Sequence, residues 1–572
     1  MVNLSIDGRE TSVAEGTTIL EAAEGLGIHI PTLCALKDLN IIGSCRVCLV
    51  QVDGESAPCA ACSTPVREGM QVRTGDPRVV AMRRANVEAL LDSHRSECTS
   101  CVRADTCALR EIAADLFVGE SGCEAPQRGI WNEDFPLIRD SSKCIKCMRC
   151  VAICEKVQHC AVWEPVGSGV HADVAVKGAL DISDAGCALC GQCITHCPTG
   201  ALSARSDIDR VLDAILDPEV MTVVQVAPAV RSAWGEGVNL SREAATSKRM
   251  ASALRALGFD RVFDTDFAAD LTIMEEGSEF LEFLKSDKPR PMFTSCCPGW
   301  VRFSKLYHPE IVAQLSSAKS PHQMLGALVK NTLGEAMEAA GKKSIFCVSI
   351  MPCVAKKYEC DVPELRTEGG RDVDAVLTVR EFDRMLRMFS VDCAALEETD
   401  FDSPLGLSTG AGVIFGRTGG VMEAALRTAA FLLTGEKPDF DICDCTAAST
   451  QRPWMDKQLE IGGSGIKIAG VNGLGNTEKL LNALAAGEVA YDFVEVMACP
   501  GGCVGGGGQP IRFNHEFVDE RATVLNRLDA DDELRMSHEN PDIRKLYETC
   551  LGQPLSHKSH AWLHTEQMDW TI

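Results

Sequence analysis

Cys144-Ile-Lys-Cys147-Met-Arg-Cys150-Val-Ala-Ile-Cys154 and Cys187-Ala-Leu-Cys190-Gly-Gln-Cys193-Ile-Thr-His-Cys197-Pro198 share one spacing, Cys-x2-Cys-x2-Cys-x3-Cys. In such a doubled run three thiolates of each copy hold one iron–sulfur core, and the fourth Cys crosses to the other. Cys144, Cys147, Cys150 and Cys197 therefore form one four-cysteine set suited to a 4Fe–4S cluster. Cys187, Cys190, Cys193 and Cys154 form the second. Glu155 stands where the first run would carry Pro, which loosens a turn and removes no ligand.

This repeat is of the bacterial two-cluster ferredoxin type and sets the reading of the rest of the chain. At 572 residues several domains are expected. The 29 Cys do not read as a secreted disulfide scaffold. The start, Met1-Val-Asn-Leu-Ser-Ile-Asp-Gly8, lacks a basic-then-apolar leader, and the Cys cluster at metal-ligand spacing. The expected setting is reducing and cytoplasmic, with no membrane insertion, because no apolar run reaches spanning length. A net charge of −25 argues against nucleic-acid binding, which needs Lys and Arg in excess. From Val66 to Arg110 eight Arg face six acids. That stretch suits either an acidic partner such as a ferredoxin or an ordinary solvated helix surface.

Upstream, Val2–Ile6 and Glu10–Val13 read as strands about an Asp7-Gly8 turn, and Thr18–Leu26 as a helix. Cys34-x10-Cys45-x2-Cys48-x13-Cys62 then resembles the plant-type ferredoxin layout, whose four thiolates hold a 2Fe–2S cluster. A structural zinc site would normally show two Cys-x2-Cys pairs, and one is present. Cys59 lies off the pattern and reads as a bystander. Pro77–Ser96 reads as a helix, with His94 near its end and Cys98, Cys101 and Cys107 beyond it. One His and three Cys suit zinc or a 4Fe–4S cluster about equally. The neighbouring motifs favour the cluster, whose potential the imidazole would raise.

After Ala204 long helices alternate with short apolar strands, Met221–Val226, Ile345–Ile350, Ile466–Val471 and Phe493–Val496. This predicts an α/β domain with a largely parallel sheet, which collects ligands beyond its strand C-termini. Special residues sit just there: Pro228, Met351-Pro-Cys353 and Met497-Ala-Cys499. The chemistry is carried by Thr294-Ser-Cys-Cys-Pro-Gly-Trp300, Met351-Pro-Cys-Val-Ala-Lys-Lys357 and Met497-Ala-Cys-Pro-Gly-Gly-Cys503. Adjacent Cys296 and Cys297 cannot easily both face one core, because neighbouring side chains diverge. One of them, with Cys353, Cys499 and Cys503, completes a further four-cysteine set.

These three motifs resemble the signatures of the iron-only hydrogenase catalytic domain, and the modules before them resemble that family's accessory-cluster extension in the same order. The resemblance spans essentially the whole chain. It implies production or oxidation of molecular hydrogen at an H-cluster, a 4Fe–4S cubane joined to a two-iron unit with carbon monoxide, cyanide and a bridging dithiolate amine. It assigns the cubane to Cys297, Cys353, Cys499 and Cys503, with Cys503 bridging to the two-iron unit. It assigns the unligated Cys296 as proton donor, and a thiol does have a proton to lend and a pKa near enough to neutral to recover it. The relay behind it maps onto Glu276, Ser316 and Glu279, the two Glu sharing a helix face. Two positions depart from the family pattern: Phe283 replaces an outer Arg, and Ala229 replaces a Ser, leaving only a backbone N–H toward a cyanide. Lys356 matches the lysine donating to the other cyanide, while Lys357 reads as a surface charge. Pro228, Met351, Met497, Phe415 and Gln323 fall in the matching pocket segments, where Met and Phe would keep the site dry.

The expected architecture is a multidomain α/β chain. Residues 1–77 form a β-grasp 2Fe–2S domain. Residues 78–117 form a small helical 4Fe–4S domain with one His and three Cys as ligands, and 135–208 a two-cluster bacterial ferredoxin-like domain. The α/β catalytic H-cluster domain follows over 209–515, with a small-subunit-like wrapping segment over 516–572. The expected cofactors are one 2Fe–2S cluster, three accessory 4Fe–4S clusters and the H-cluster. Gly505–Gly508 permits close backbone approach and lacks the Lys-Ser/Thr ending of a phosphate loop. Cys443 and Cys445 match no cluster motif. Cys123, Cys160, Cys347, Cys360, Cys393 and Cys550 read mostly as buried small hydrophobes, and His538, His557, His560 and His564 as surface or packing residues. Electron partners would be a ferredoxin or a diaphorase-type NAD(P)H subunit, and maturation proteins would insert the two-iron unit. A non-catalytic iron–sulfur scaffold or hydrogen sensor is the rival class, and the intact Thr294–Trp300 motif weighs against the scaffold.

Overall fold

The computed structural model describes residues 1–119, 127–367, 370–437, 452–461 and 464–569, so Cys123, Cys443 and Cys445 lie outside the described residues. Among the described residues no helix is long and apolar enough to cross a membrane.

The N-terminal strands are Val2–Ile6 and Arg9–Val13. The helix is Ile19–Gly25, closed by a reciprocal cap between Thr18 and Glu21. Val2–Ile6 pairs in parallel with Met70–Arg73, and Leu49–Val52 and Cys59–Ala60 complete a five-stranded sheet. Its apolar face receives Ile19, Ala22 and Ala23. The next helix, Pro77–Asp92, starts on an Asp76 cap and ends before the expected Ser96. A tight turn, His94 N–H to Leu91 O, takes His94 off the helix.

The two cluster runs fold alike. Lys146 and Met148 in the first, and Leu189 and Gly191 in the second, adopt positive φ at equivalent positions. Such strained turns expose main-chain N–H groups to the sulfurs, as Lys146 N to Cys144 Sγ and Leu189 N to Cys187 Sγ, both 3.4 Å, show.

The expected single sheet of the large α/β unit is in fact two. One is all parallel, in the order Arg261–Asp264, Val220–Val226, Ser344–Met351, Ala375–Thr378. The other runs Met292–Phe293, Phe493–Met497, Ser464–Asn472, Met455–Ile461, with only the last pair antiparallel. Strand periodicity cannot reveal sheet membership, which depends on pairing between segments far apart in sequence. The division places the site. Pro228 and Cys353 follow strands of the first sheet, and Cys296, Cys297 and Cys499 follow strands of the second. Glycines join the pieces: a Cβ on Gly507 would lie 2.6 Å from Cys190 O, and one on Gly508 2.7 Å from the Pro352 carbonyl carbon. Gly505–Gly508 thus does allow the close backbone approach its composition predicts.

Candidate active site and cluster sites

Cys34, Cys45, Cys48 and Cys62 lie close enough for their thiols to shift one another's acidity more than any other group does, Cys34 and Cys48 downward and Cys45 and Cys62 upward. Cys144, Cys147, Cys150 and Cys197 line one cavity. A second is lined by Cys154, Cys187, Cys190 and Cys193, together with Cys160. A third is lined by His94, Cys98, Cys101 and Cys107. Donor chemistry and placement fit iron–sulfur clusters in each. The sites also adjoin. Asn40 Nδ2 donates to Cys34 O at 2.7 Å and to Cys147 O at 2.9 Å. The buried Arg103 guanidinium lies among Cys197, Cys107 and Cys101. Cys499 Sγ donates to Cys190 O at 3.5 Å. Two branches, from Cys34 and from His94, therefore meet at the Cys144 set, and the Cys190 loop touches the active site.

There the thiols of Cys297, Cys353, Cys499 and Cys503 lie within one another's fields, and burial pushes all four up. Sulfurs brought together this way suit ligation by a cationic iron core, which would hold them as thiolates. Cys296, Cys297 and Cys503 pack on an apolar wall that includes Ile273, Phe415 and Met497. Ala229, Met351 and Gln323 are buried, Pro228 is half-buried, and Gln323 Nε2 has no hydrogen-bond partner.

Burial, and next the Glu276 charge, pushes Cys296 well above the usual thiol range rather than near neutral, so it rests protonated. Glu276 is 1% exposed, and neither of its oxygens has a hydrogen-bond partner. Burial and then the Glu279 charge push it up to about 8. Ser316 Oγ donates to Glu279 Oε2 at 2.6 Å. The thiol, the two carboxyls and the hydroxyl are thus brought together. Phe283 is buried among Phe280, Met292 and Phe493 and offers no polar continuation.

Lys356 Nζ donates to Glu359 Oε2 at 2.8 Å and to Cys296 O at 3.2 Å. Although burial opposes its charge, Glu359 holds its pKa above the ordinary value. Lys357 is not the surface charge its sequence neighbourhood predicts. It is fully buried, with Nζ on Asp207 Oδ2 at 2.9 Å and Glu381 Oε1 at 3.1 Å. Both acids lie more than twenty residues away, so no local pattern announces the pair. Cys160, Cys347, Cys360 and Cys393 are buried as expected, whereas Cys550 is half-exposed and accepts from Lys558 Nζ at 3.3 Å.

Two buried groups escape sequence reasoning. Glu495 accepts from Gly419 N at 2.6 Å and Met422 N at 2.9 Å, and burial pushes it up to about 7. His564, which reads as a surface or packing residue, is buried and bonded to Ser317 and Glu275. Irregular His spacing carries no signal for either contact.

Grouped thiols along one chain, ending at a buried Cys296 thiol backed by carboxyls and an apolar wall, suit an iron–sulfur oxidoreductase. Residues 220–507 match the family described as iron only hydrogenase large subunit, C-terminal domain. Residues 515–567 match the iron hydrogenase small subunit. Residues 1–77, 83–121 and 143–201 match a 2Fe-2S cluster binding domain, an NADH-ubiquinone oxidoreductase-G iron–sulfur region and a 4Fe-4S dicluster domain. The NADP-reducing hydrogenase subunit HndD of Solidesulfovibrio fructosivorans is 45% identical, covering 99% of this chain and 98% of that one. Iron hydrogenase 1 of Clostridium pasteurianum is 36% identical, covering 99% of both. The structure of [FeFe]-hydrogenase HydA1 from Chlamydomonas reinhardtii superposes with a TM-score of 0.57 at 40% identity, covering 63% of this chain and 98% of that one. The chain belongs to the iron-only hydrogenase family, and its reaction is the reversible reduction of protons to molecular hydrogen.

Proposed function

We propose that Cys296, Glu276, Ser316 and Glu279 carry protons to and from an H-cluster that Cys297, Cys353, Cys499 and Cys503 would hold, Cys503 being the residue that would also hold its two-iron unit. When bound, that group supplies the site at which hydrogen is made or split. The chain does the rest. Cys296 lends its proton, which burial keeps on sulfur, and recovers one from Glu276. Ser316 passes protons between the two carboxyls, donating to Glu279 at 2.6 Å. Lys356, its charge upheld by Glu359, presents a cation to the pocket where the family has cyanide. Pro228, Ala229, Met351, Met497, Phe415 and Gln323 wall it and exclude water. Cys34, Cys45, Cys48 and Cys62 would hold one 2Fe–2S cluster, and His94 with Cys98, Cys101 and Cys107, the Cys144 set and the Cys187 set would each hold a 4Fe–4S cluster, supplying an electron path to the site. The five modules expected from the sequence, 1–77, 78–117, 135–208, 209–515 and 516–572, divide this work, and maturation proteins complete the site.

The observation that carries this reading is the buried Cys296 thiol beside Glu276, with Ser316 bonded onward to Glu279. The test is Cys296→Ser in matured protein. Infrared bands of iron-bound carbon monoxide and cyanide should persist while hydrogen turnover falls by orders of magnitude. Full turnover would end the assignment.

The end-to-end likeness to a chain called an NADP-reducing hydrogenase subunit favours a second reading of the partner. A diaphorase-type subunit would exchange electrons with this chain, which has no Gly-x-Gly-x-x-Gly loop of its own, in place of or beside a ferredoxin. Purification of the native complex from the cytoplasm, followed by NAD(P)H-dependent hydrogen evolution, separates the two.

A further inference from the structure

Arg103 is 2% exposed, yet none of its three guanidinium nitrogens has a hydrogen-bond partner among the described residues. A buried cation without a counter-charge is strongly disfavoured. The acid two residues on, Asp105, is exposed and pairs with Arg387 at 3.2 Å. From the catalytic domain the neighbouring charge is a second cation, Arg380, which is engaged with Gln509 O and Gly507 O. Burial pulls the Arg103 pKa below its ordinary value, and the groups that counter this are Cys197, then Cys107 and Cys101.

Those sulfurs belong to two different sets. Cys101 and Cys107 line the His94 cavity, and Cys197 lines the Cys144 cavity. The two walls touch, since Ala108 N donates to Pro198 O at 3.1 Å. Gly200 itself lines the His94 cavity, where a Cβ on it would lie 2.5 Å from Cys101 Sγ. The Arg103 main chain already donates to one of these sulfurs, N to Cys101 Sγ at 3.5 Å.

We infer that the Arg103 guanidinium is the shared counter-cation of the His94 and Cys144 sites, donating to sulfurs of both and holding both reduction potentials up. This rests on the reading of both as 4Fe–4S sites above. Iron–sulfur cores with their thiolates are anionic, and their potentials follow net charge and hydrogen bonds to sulfur. A fixed cation beside each favours the added electron. Arginine suits the place because its planar fork carries five donors and keeps its charge when buried. One cation between two sites moves both potentials in the same direction.

The test is a redox titration followed by paramagnetic resonance of every accessory cluster in wild type, Arg103→Met and Arg103→Lys. Coupling to an imidazole nitrogen marks the His94 cluster. In Arg103→Met two of the three 4Fe–4S midpoints, the imidazole-coupled one among them, should fall. The expected size is about tenfold in the reduction equilibrium, about 59 mV for one electron. The third 4Fe–4S midpoint and that of the Cys34 cluster should hold. Arg103→Lys keeps the charge and should recover most of the fall. Unmoved midpoints in Arg103→Met, a fall at one cluster alone, or a fall that Arg103→Lys shares in full overturns the inference. Where Arg103→Met loses iron, Arg103→Gln takes its place under the same criteria. Iron lost from both neutral variants and kept in Arg103→Lys supports the charge, whereas iron lost from all three marks a packing role and overturns it. A wild type with zinc at the His94 set and no imidazole-coupled signal would instead sink the cluster reading beneath it.

Discussion

Ser316 Oγ donates to Glu279 Oε2 at 2.6 Å while accepting from Ala318 N at 3.2 Å. The hydroxyl is held from both sides, its proton aimed at Glu279 and its oxygen on the main chain, and the proposed relay has it pass protons between Glu279 and Glu276. Ser316→Ala removes the bridge and leaves the cavity's shape. Hydrogen turnover should fall on the order of a hundredfold, with the electron paramagnetic resonance of the accessory clusters unchanged. Turnover within twofold of wild type would place the path elsewhere.

Glu276 makes stability depend on pH. Burial, then Glu279, raises it from 4.5 to about 8, so the native state binds this proton more tightly than the unfolded chain. Its contribution is fully present below the unfolded value and is lost as pH climbs through the folded one. Glu276→Gln cannot ionise. The melting temperature of the variant relative to wild type should therefore rise across that window, and parallel curves would contradict the shift.

Lys357 tests a charge the sequence leaves looking superficial. Removing it takes the shared buried cation from Asp207 and Glu381, leaving Asp207 only its longer pairs with Arg205 and Arg210 at 3.4 and 3.3 Å. Lys357→Met should cost about 3–5 kcal/mol in chemical denaturation. A surface lysine would cost about 0.5 kcal/mol or less.

Asn40 ties the Cys34 and Cys147 loops through one buried amide. Asn40→Leu leaves two carbonyls unpaired, at about 1–3 kcal/mol each. Electrons delivered at the Cys34 cluster should reach the Cys144 cluster more slowly, read by freeze-quench paramagnetic resonance. Delivery at the His94 cluster should keep its rate. Equal slowing of both branches would contradict the bridge.

Much of this was legible in the sequence because ligand spacing is local. Cys144 and Cys147 lie on one loop and Cys150 in the first turn of the helix it leads into, and their register predicts the cavity they line with Cys197. Strand content was equally plain, since Val220–Val226 and Phe493–Met497 are largely apolar runs. What escaped is set by distance along the chain. The split into two sheets, the Lys357 pair with Asp207 and the burial of His564 against Glu275 all depend on tertiary pairing. Cys296 shows the limit for acidity: a thiol's reference value says little once apolar walls and a carboxyl surround it.

The most direct measurement is infrared spectroscopy of matured Cys503→Ser beside wild type. Because Cys503 is the residue proposed to hold the two-iron unit, the wild type should show iron-bound carbon monoxide and cyanide bands and the variant should lack them, with accessory-cluster signals intact in both. Undiminished bands in Cys503→Ser would contradict the account.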